Sequence, residues 1–389
     1  MINLDIDTDV LIVGGGIVGC SVAYYLARSG VETVLIDRLD LNTQASGTNA
    51  GSLHVQLQSY QVKAVDSERV KAFEATLPLY EEAVATWGEL SEELDCDIEY
   101  QLTGGLMVAE TEAQLRFLES KAARERAHGL DVQILSGSEL GSLAPYLSDR
   151  VIAAEYCPKE GKVNPTLATP ALVRGAERAG ARFLRHTELL ALHPQKREFK
   201  AETSRGRIRC ARVVNASGSW SASVAAMVGI RIAVAGNPIH MNVTEPTAPL
   251  VKHLVQHVDR FLTMKQAAGG NVIVGGGWRA AVDSVTGQLR ILRTSVEGNL
   301  WVAQRVVPEL AHVPLMRTWA GQSIAIDGKP ILGEVPRVPG FYNAVLAHSG
   351  YTAGPFFARL LADVVKGRRT AIDIETFSIQ RFSTTAACP

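Results

Sequence analysis

Hydrophobic positions follow two different rhythms near the start of this chain. From Val10 to Val13 they are continuous, the mark of a short strand buried on both faces, predicted over Asp9–Val13. From Ile17 to Arg28 they recur at helical spacing, and Thr33–Ile36 is a second continuous run. Further on, "TEAQLRFLESKAARERAHG" (111–129) predicts a helix with a solvated face of mixed charge. "VVNASGSWS" (213–221) runs from a strand into a small-residue turn, and Phe356–Val365 predicts the last long helix. The uncharged stretch Val10–Ala27 is about long enough to span a membrane. Asp5, Asp7 and Asp9 stand where an export signal carries positive charge, and adjacent glycines break the run. The expectation is therefore neither export nor insertion.

Gly14, Gly16 and Gly19 satisfy GxGxxG between the first strand and the first helix. They serve, in turn, a tight turn, close approach of backbone to a pyrophosphate, and close packing of helix on strand. The helix start adds unpaired N–H groups and a partial positive charge. Asp37 ends the second strand, where a carboxylate accepts from ribose hydroxyls. Strand, turn, helix, strand and acid in one unit make a dinucleotide site, which NAD and FAD suit equally. A second run, "NVIVGGGWRAAVDS" (271–284), repeats the spacing at Gly275, Gly277 and Ala280. The residues after it are polar and include Asp283, Ser284 and Gly287, so it predicts a strand and a turn instead.

Charge narrows the partners. Lys plus Arg total 39 and Asp plus Glu 40 in 389 residues, a net charge of -1, which offers neither nucleic acid nor an anionic membrane surface an electrostatic footing. The cysteines, Cys20, Cys96, Cys157, Cys210 and Cys388, are scattered and never in CxxC spacing. A disulfide framework, a zinc site and an iron–sulfur cluster within the chain are not expected, and reduced thiols point to the cytoplasm.

Four more stretches extend the picture: "RLDLNTQASGTNAGSLH" (38–54), "TGGLMVAE" (103–110), "RTWAGQSIAIDGKPILG" (317–333) and "LAHSGYTAGPFFARLLADVV" (346–365). Together with the glycine unit they resemble the FAD-dependent D-amino acid oxidase superfamily, and the resemblance covers nearly the whole chain. "QASGTNAGSLHVQLQ" is most similar to the flavin-bearing B subunits of opine (octopine or nopaline) oxidases, with sarcosine oxidase beta-type subunits, proline dehydrogenase and cyanide synthase as near neighbours. The resemblance implies an α/β fold: a Rossmann-like FAD domain plus a mixed α+β substrate domain with a large antiparallel sheet. The FAD domain is expected from 1–85, 150–235 and 318–389, and the substrate domain from 86–149 and 236–317, with the active site in the cleft between them. Noncovalent FAD would be held at Gly14, Gly16, Gly19, Asp37 and Arg38 for its ADP half. Ser46, Asn49, Ala50 and Gly51 would lie beside the ribityl chain and ring, with Gly350, Tyr351 and Thr352 at the pyrimidine edge. Leu189, Gly218 and Gly321 complete the implied cofactor contacts.

The chain also departs from its simpler relatives. They often carry, shortly after "WAG", an Arg that clamps the substrate carboxylate, whereas Gly321 here is followed by Gln322, Ser323 and Ile324. Lys265, Arg279 and Arg317 are the replacement candidates, although Arg317 could equally pair with an acid at the domain junction. His54, His348 and Tyr351 are candidates for the cavity wall; Trp278 suits either the cavity or the core, and His240 is undecided. No general base is assigned. Heteromeric sarcosine oxidases tether FMN through a histidine, and "EGKVNPTLATP" (160–170) has none, so FMN at a subunit interface would be noncovalent. A [2Fe-2S] cluster is expected only on a partner subunit. The implied function is oxidation of a secondary-amine amino acid, an opine, in a heteromeric complex in the cytoplasm, associated with the membrane only through partners. A stand-alone D-amino acid, sarcosine or proline dehydrogenase is the second reading; a flavin-binding assembly or electron-relay subunit is the third.

Overall fold

The computed structural model describes residues 4–63, 67–327, 329–347 and 349–382. The first continuous run becomes a strand over Leu4–Val13, longer than its apolar part because it continues through alternating polar residues. The helix Ile17–Arg28 and the strand Thr33–Ile36 follow with the expected bounds. These two strands lie in an eight-stranded sheet whose central order is Ile331–Glu334, Phe341–Val345, Gly206–Asn215, Leu4–Val13, Thr33–Ile36, Arg182–Leu184. All neighbours in that order run parallel except the first pair. Thr33–Ile36 and Phe341–Val345 are buried at every position because the sheet is covered on both faces. Ile17–Arg28 packs between the helices Pro165–Arg178 and Gly350–Val365 on one face, and the latter packs on Leu77–Glu93. The last helix begins at Gly350, nearly two turns earlier than its apolar period suggests.

A second eight-stranded sheet is antiparallel but for one pair. Its order is Leu315–Ala325, Ala235–Pro246, Asn271–Gly275, Thr263–Gln266, Leu254–His257, Gly105–Ala109, Ala153–Cys157, Gln133–Ser136. Leu254–His257 and Gly105–Ala109 form the parallel pair. The helix Arg293–Val306 buries Val302, Ala303 and Val306 against it. Ala153–Cys157 and Leu315–Ala325 belong to this sheet, so it reaches across the boundaries near 150 and 318 drawn from the sequence. The second glycine run ends the strand Asn271–Gly275 and turns without starting a helix. Helix Glu112–Ala127 takes Thr111 as its cap, whose side chain accepts from the Gln114 N–H. Ser52–Leu53 pairs with Gly161–Lys162 and links the two halves. No described helix is long and apolar enough to cross a membrane.

Candidate active site

A cavity of about 1020 Å³ runs from the first glycine turn to the second sheet. That is at the top of the roughly 300–1,000 Å³ usual for small-molecule sites. At one end Gly14 has φ +114, and a side chain there would overlap the Ala216 carbonyl oxygen. A side chain on Gly19 would overlap the Gly14 carbonyl, so the helix can meet the turn only with glycine at 19. The Ser46 hydroxyl accepts from Ile17 N–H at 2.8 Å, and a methyl on Gly16 would sit 2.9 Å from that Oγ. Asp37 accepts from Gly15 N–H at 2.7 Å and from Leu39 N–H at 2.8 Å, which fixes its carboxylate beside the helix start. Arg38 lies over the Trp220 ring at 4.2 Å, and Leu189 and Gly218 also line this end.

The other end joins segments distant in sequence. Ser46, Asn49 and Ala50 line it on one side, Gly350, Tyr351 and Thr352 on the other. Asn49 Oδ1 accepts from Gly51 N–H at 2.6 Å, where Gly51 takes φ +70 against the Val163 carbonyl. Trp319 donates to the Thr48 carbonyl at 2.8 Å, and Gly321 leaves room for the Thr48 side chain. His54 N–H donates to Thr352 Oγ1 at 3.1 Å, which places the half-buried His54 ring on the cavity wall. Tyr351 stacks on the buried Trp87 ring at 5.2 Å, and Trp87 donates to the Thr352 carbonyl at 2.9 Å. Burial holds the Tyr351 phenol above its usual range. Loss of solvent, with the Lys265 charge adding to it, pushes His54 down to about 4.

Of the substrate-side candidates, Arg279 alone of the three cations lines this cavity, on a turn bridged to Ile239. Lys265 is 4% exposed, donates to the Val163 carbonyl at 3.1 Å and lines a separate cavity of about 280 Å³. Burial, with Lys162 nearby, pushes its amine down to about 7. Arg317 is exposed on the edge strand Leu315–Ala325 over the Trp319 ring. Trp278 turns away from the cavity: its indole donates to the Phe261 carbonyl at 2.5 Å and its ring fills the space left by Gly298. His240 is fully buried and hydrogen-bonded with Asn242 at 3.2 Å, a core residue. His348 lies outside the described residues. Gly19 and Gly51 shape the walls through backbone contacts without lining the space.

Several wall residues carry no sequence signal of their own. Gln58, Asn237, Met241, Gln256, His257 and Phe261 all line the substrate end, as does Gln322. Lys63 pairs with Asp259, and Arg260 with Glu110 at 3.2 Å. Among the described residues Arg279 has no acid within ion-pair distance. An elongated dinucleotide fits this space: glycine backbone and a helix start for its phosphates, Asp37 for a ribose, and a helix start at Gly350 for the far ring.

Comparison with known proteins agrees. Residues 9–364 match the DAO family model, described as FAD dependent oxidoreductase. Glycine oxidase of Geobacillus kaustophilus is 27% identical over 96% of this chain and 97% of its own. The B subunit of opine oxidase from Rhizobium meliloti is 26% identical over 97% of this chain and 98% of its own. A crystal structure of the Geobacillus kaustophilus glycine oxidase superposes with TM-score 0.86 at 25% identity, over 97% of this chain and 99% of that one. Cradle, sheet order and family match converge, and the chain belongs to the DAO family of FAD-dependent oxidoreductases.

Proposed function

We propose that this chain is the FAD-bearing catalytic subunit of a heteromeric oxidoreductase that oxidises a secondary-amine amino acid of the opine type to an imine, which water hydrolyses to an amino acid and a 2-oxo acid. Bound FAD supplies the two-electron acceptor for the C–H bond beside the amine. The residues of the chain do the rest. Arg279 holds a substrate carboxylate, a role suited to a guanidinium that no acid among the described residues neutralises. Tyr351, Thr352 and His54 form the wall against which the amine is oriented, and the amine is bound neutral because an ammonium has no lone pair to offer.

The observation that carries this reading is the second cavity. Asn49 and Ala50 line both spaces, so a two-residue wall separates the FAD cavity from one furnished with Lys162, Lys265 and Thr166, where the Glu99 carboxylate accepts from the Asn164 side chain at 3.2 Å. Those donors suit the phosphate of a noncovalent FMN at a subunit interface, with a [2Fe-2S] cluster on the partner. Similarity to the B subunit of opine oxidase over nearly the full length of both chains supports the same assignment. The equal similarity to glycine oxidase favours a second reading, a stand-alone amino acid oxidase or dehydrogenase. Purifying the chain with its native partners, measuring both flavins, and screening opines, sarcosine, proline and D-amino acids for anaerobic bleaching separates these. Co-purified subunits, FMN and bleaching by an opine support the proposal. A lone chain with FAD only, bleached by a simple amino acid, supports the second reading, and no bleaching by any amine leaves an assembly or relay role.

A further inference from the structure

Behind the His54 wall lies a sealed cluster of ionisable groups that the proposed reaction does not use. Glu160, in the turn before Gly161–Lys162, is 0% exposed. Its Oε1 accepts from the N–H groups of Val55 at 2.8 Å and Gln56 at 2.9 Å, and its Oε2 accepts from the Gln56 side chain at 3.2 Å. Glu125 takes the next N–H, Leu57, at 2.6 Å, and Lys121 bridges Glu125 and Glu155 at 2.8 Å each. Three consecutive backbone donors of the segment after His54 thus end on carboxylates from elsewhere in the fold. Gly105 makes this possible, since a side chain there would overlap the Glu160 carboxylate.

Glu160 Oε1 also lies 3.9 Å from His54 Nδ1, a buried ring nitrogen with no hydrogen-bond partner. Lys121 faces Glu160 from the helix Glu112–Ala127 and Cys157 from the strand Ala153–Cys157, Glu125 and Glu155 pair with Lys121, and Lys265 bears on His54 from Thr263–Gln266. We infer that Glu160 is a positioning residue of the flavin cavity: its carboxylate anchors Val55–Gln56 and selects the His54 tautomer that carries its proton on Nδ1, leaving Nε2 as an acceptor at the cavity wall. A buried imidazole adopts the tautomer that its nearest strong acceptor dictates.

The electrostatics agree with this geometry. Burial pushes Glu160 up to about 7 even though backbone donors oppose the shift, and it pushes Glu155 well above the usual carboxyl range. With His54 held near 4, the ring stays neutral while Glu160 titrates. Above about pH 7 the carboxylate charge, 3.9 Å from Nδ1, favours a proton on that nitrogen. Below it the neutral acid no longer holds the proton on Nδ1, and the ring proton moves to Nε2, closing the acceptor. The cavity wall therefore gains its acceptor as pH rises, in the direction that also frees the amine lone pair of the proposed reaction.

Only the meaning of that acceptor rests on the proposed function; the tautomer itself is tested without any amine. The holoprotein, labelled with 15N-histidine, is followed by long-range 1H–15N spectra from pH 5.5 to 8.5, with His54 assigned through His54→Gln. The expected result is an exchange of the protonated nitrogen from Nε2 to Nδ1 with a midpoint near 7, abolished in Glu160→Gln. One tautomer across the whole range in the wild type, or an unchanged exchange in Glu160→Gln, overturns the inference. If Glu160→Gln fails to fold, the wild-type titration decides alone.

Discussion

Replacing Lys265 by Met tests whether the second cavity holds a strained cation. Burial moves the amine from its ordinary 10.5 to about 7, so the folded state gives up a proton that the unfolded chain keeps between those values. The sign follows: the folded wild type gains stability as pH rises from 7 towards 10.5, and below 7 it bears the whole penalty of a charged, desolvated ammonium. At about 1.4 kcal/mol per pH unit that penalty is about 5 kcal/mol at pH 6 and falls by ~2.7 kcal/mol by pH 9. Lys265→Met removes this dependence. It also leaves the Val163 carbonyl without its donor, at about 1–3 kcal/mol, but that loss is the same at every pH. The difference between variant and wild type must therefore shift towards the wild type by ~2.7 kcal/mol between pH 6 and 9. With roughly 2.1 cal/mol/K of unfolding entropy per residue, this is about 3 °C in Tm for unfolding of the whole chain. Paired melting curves across that range, at fixed FAD, provide the measurement. A Tm difference that stays constant, or moves in the variant's favour with rising pH, would refute the reasoning. Saturating FMN should flatten the slope of the wild type, because a phosphate beside the amine restores its charge.

Arg279→Met should raise KM for the oxidised amine about 10–100-fold, matching the roughly 1.5–3 kcal/mol of a charged hydrogen bond, with a smaller change in kcat; equal KM values would remove Arg279 from the site. Gly19→Ala, which drives a methyl into the Gly14 carbonyl, should yield protein with little FAD, seen as a collapsed ratio of 450 to 280 nm absorbance. Retained yellow colour would mean that the helix can move away at little cost. Ser46→Ala should weaken FAD binding about 3–10-fold by leaving Ile17 N–H unpaired, read by fluorescence titration. The rate of anaerobic flavin reduction should rise with pH through one apparent pKa, and a flat profile with chemistry limiting would count against a neutral bound amine.

The parts of the site that were legible beforehand are those in which chemistry is local. Gly14, Gly16, Gly19 and Asp37 sit in one unit whose strand, turn and helix are short-range structure, and Ile17–Arg28 and Thr33–Ile36 keep the bounds their periodicity suggests. The second sheet was illegible in detail because its pairings are long-range: Gly105–Ala109 lies parallel to Leu254–His257, and no local pattern announces that partner. Side-chain direction was illegible too. Lys265 belongs near the cavity by position, but strand side chains alternate between faces, and a one-residue difference in register decides which face it takes, while Trp278 sits in the turn beyond Asn271–Gly275, where no periodicity sets its direction. Glu160 had no signal at all: a single acid in a turn looks solvated until its acceptor bonds reach Val55 and Gln56, more than a hundred residues away.

The three cationic candidates divide between two cavities and the surface, and that division decides which of them can act on a substrate. On the proposed function a carboxylate clamp must line the larger cavity, and Arg279 is the member of the three that does so. Lys265 lines the other cavity, where burial has cost it much of its affinity for a proton, and an anion held beside it would restore its charge. On that proposal the missing Arg after "WAG" is replaced from elsewhere: Gln322 lines the cavity without charge, and the cation enters from the turn after Asn271–Gly275.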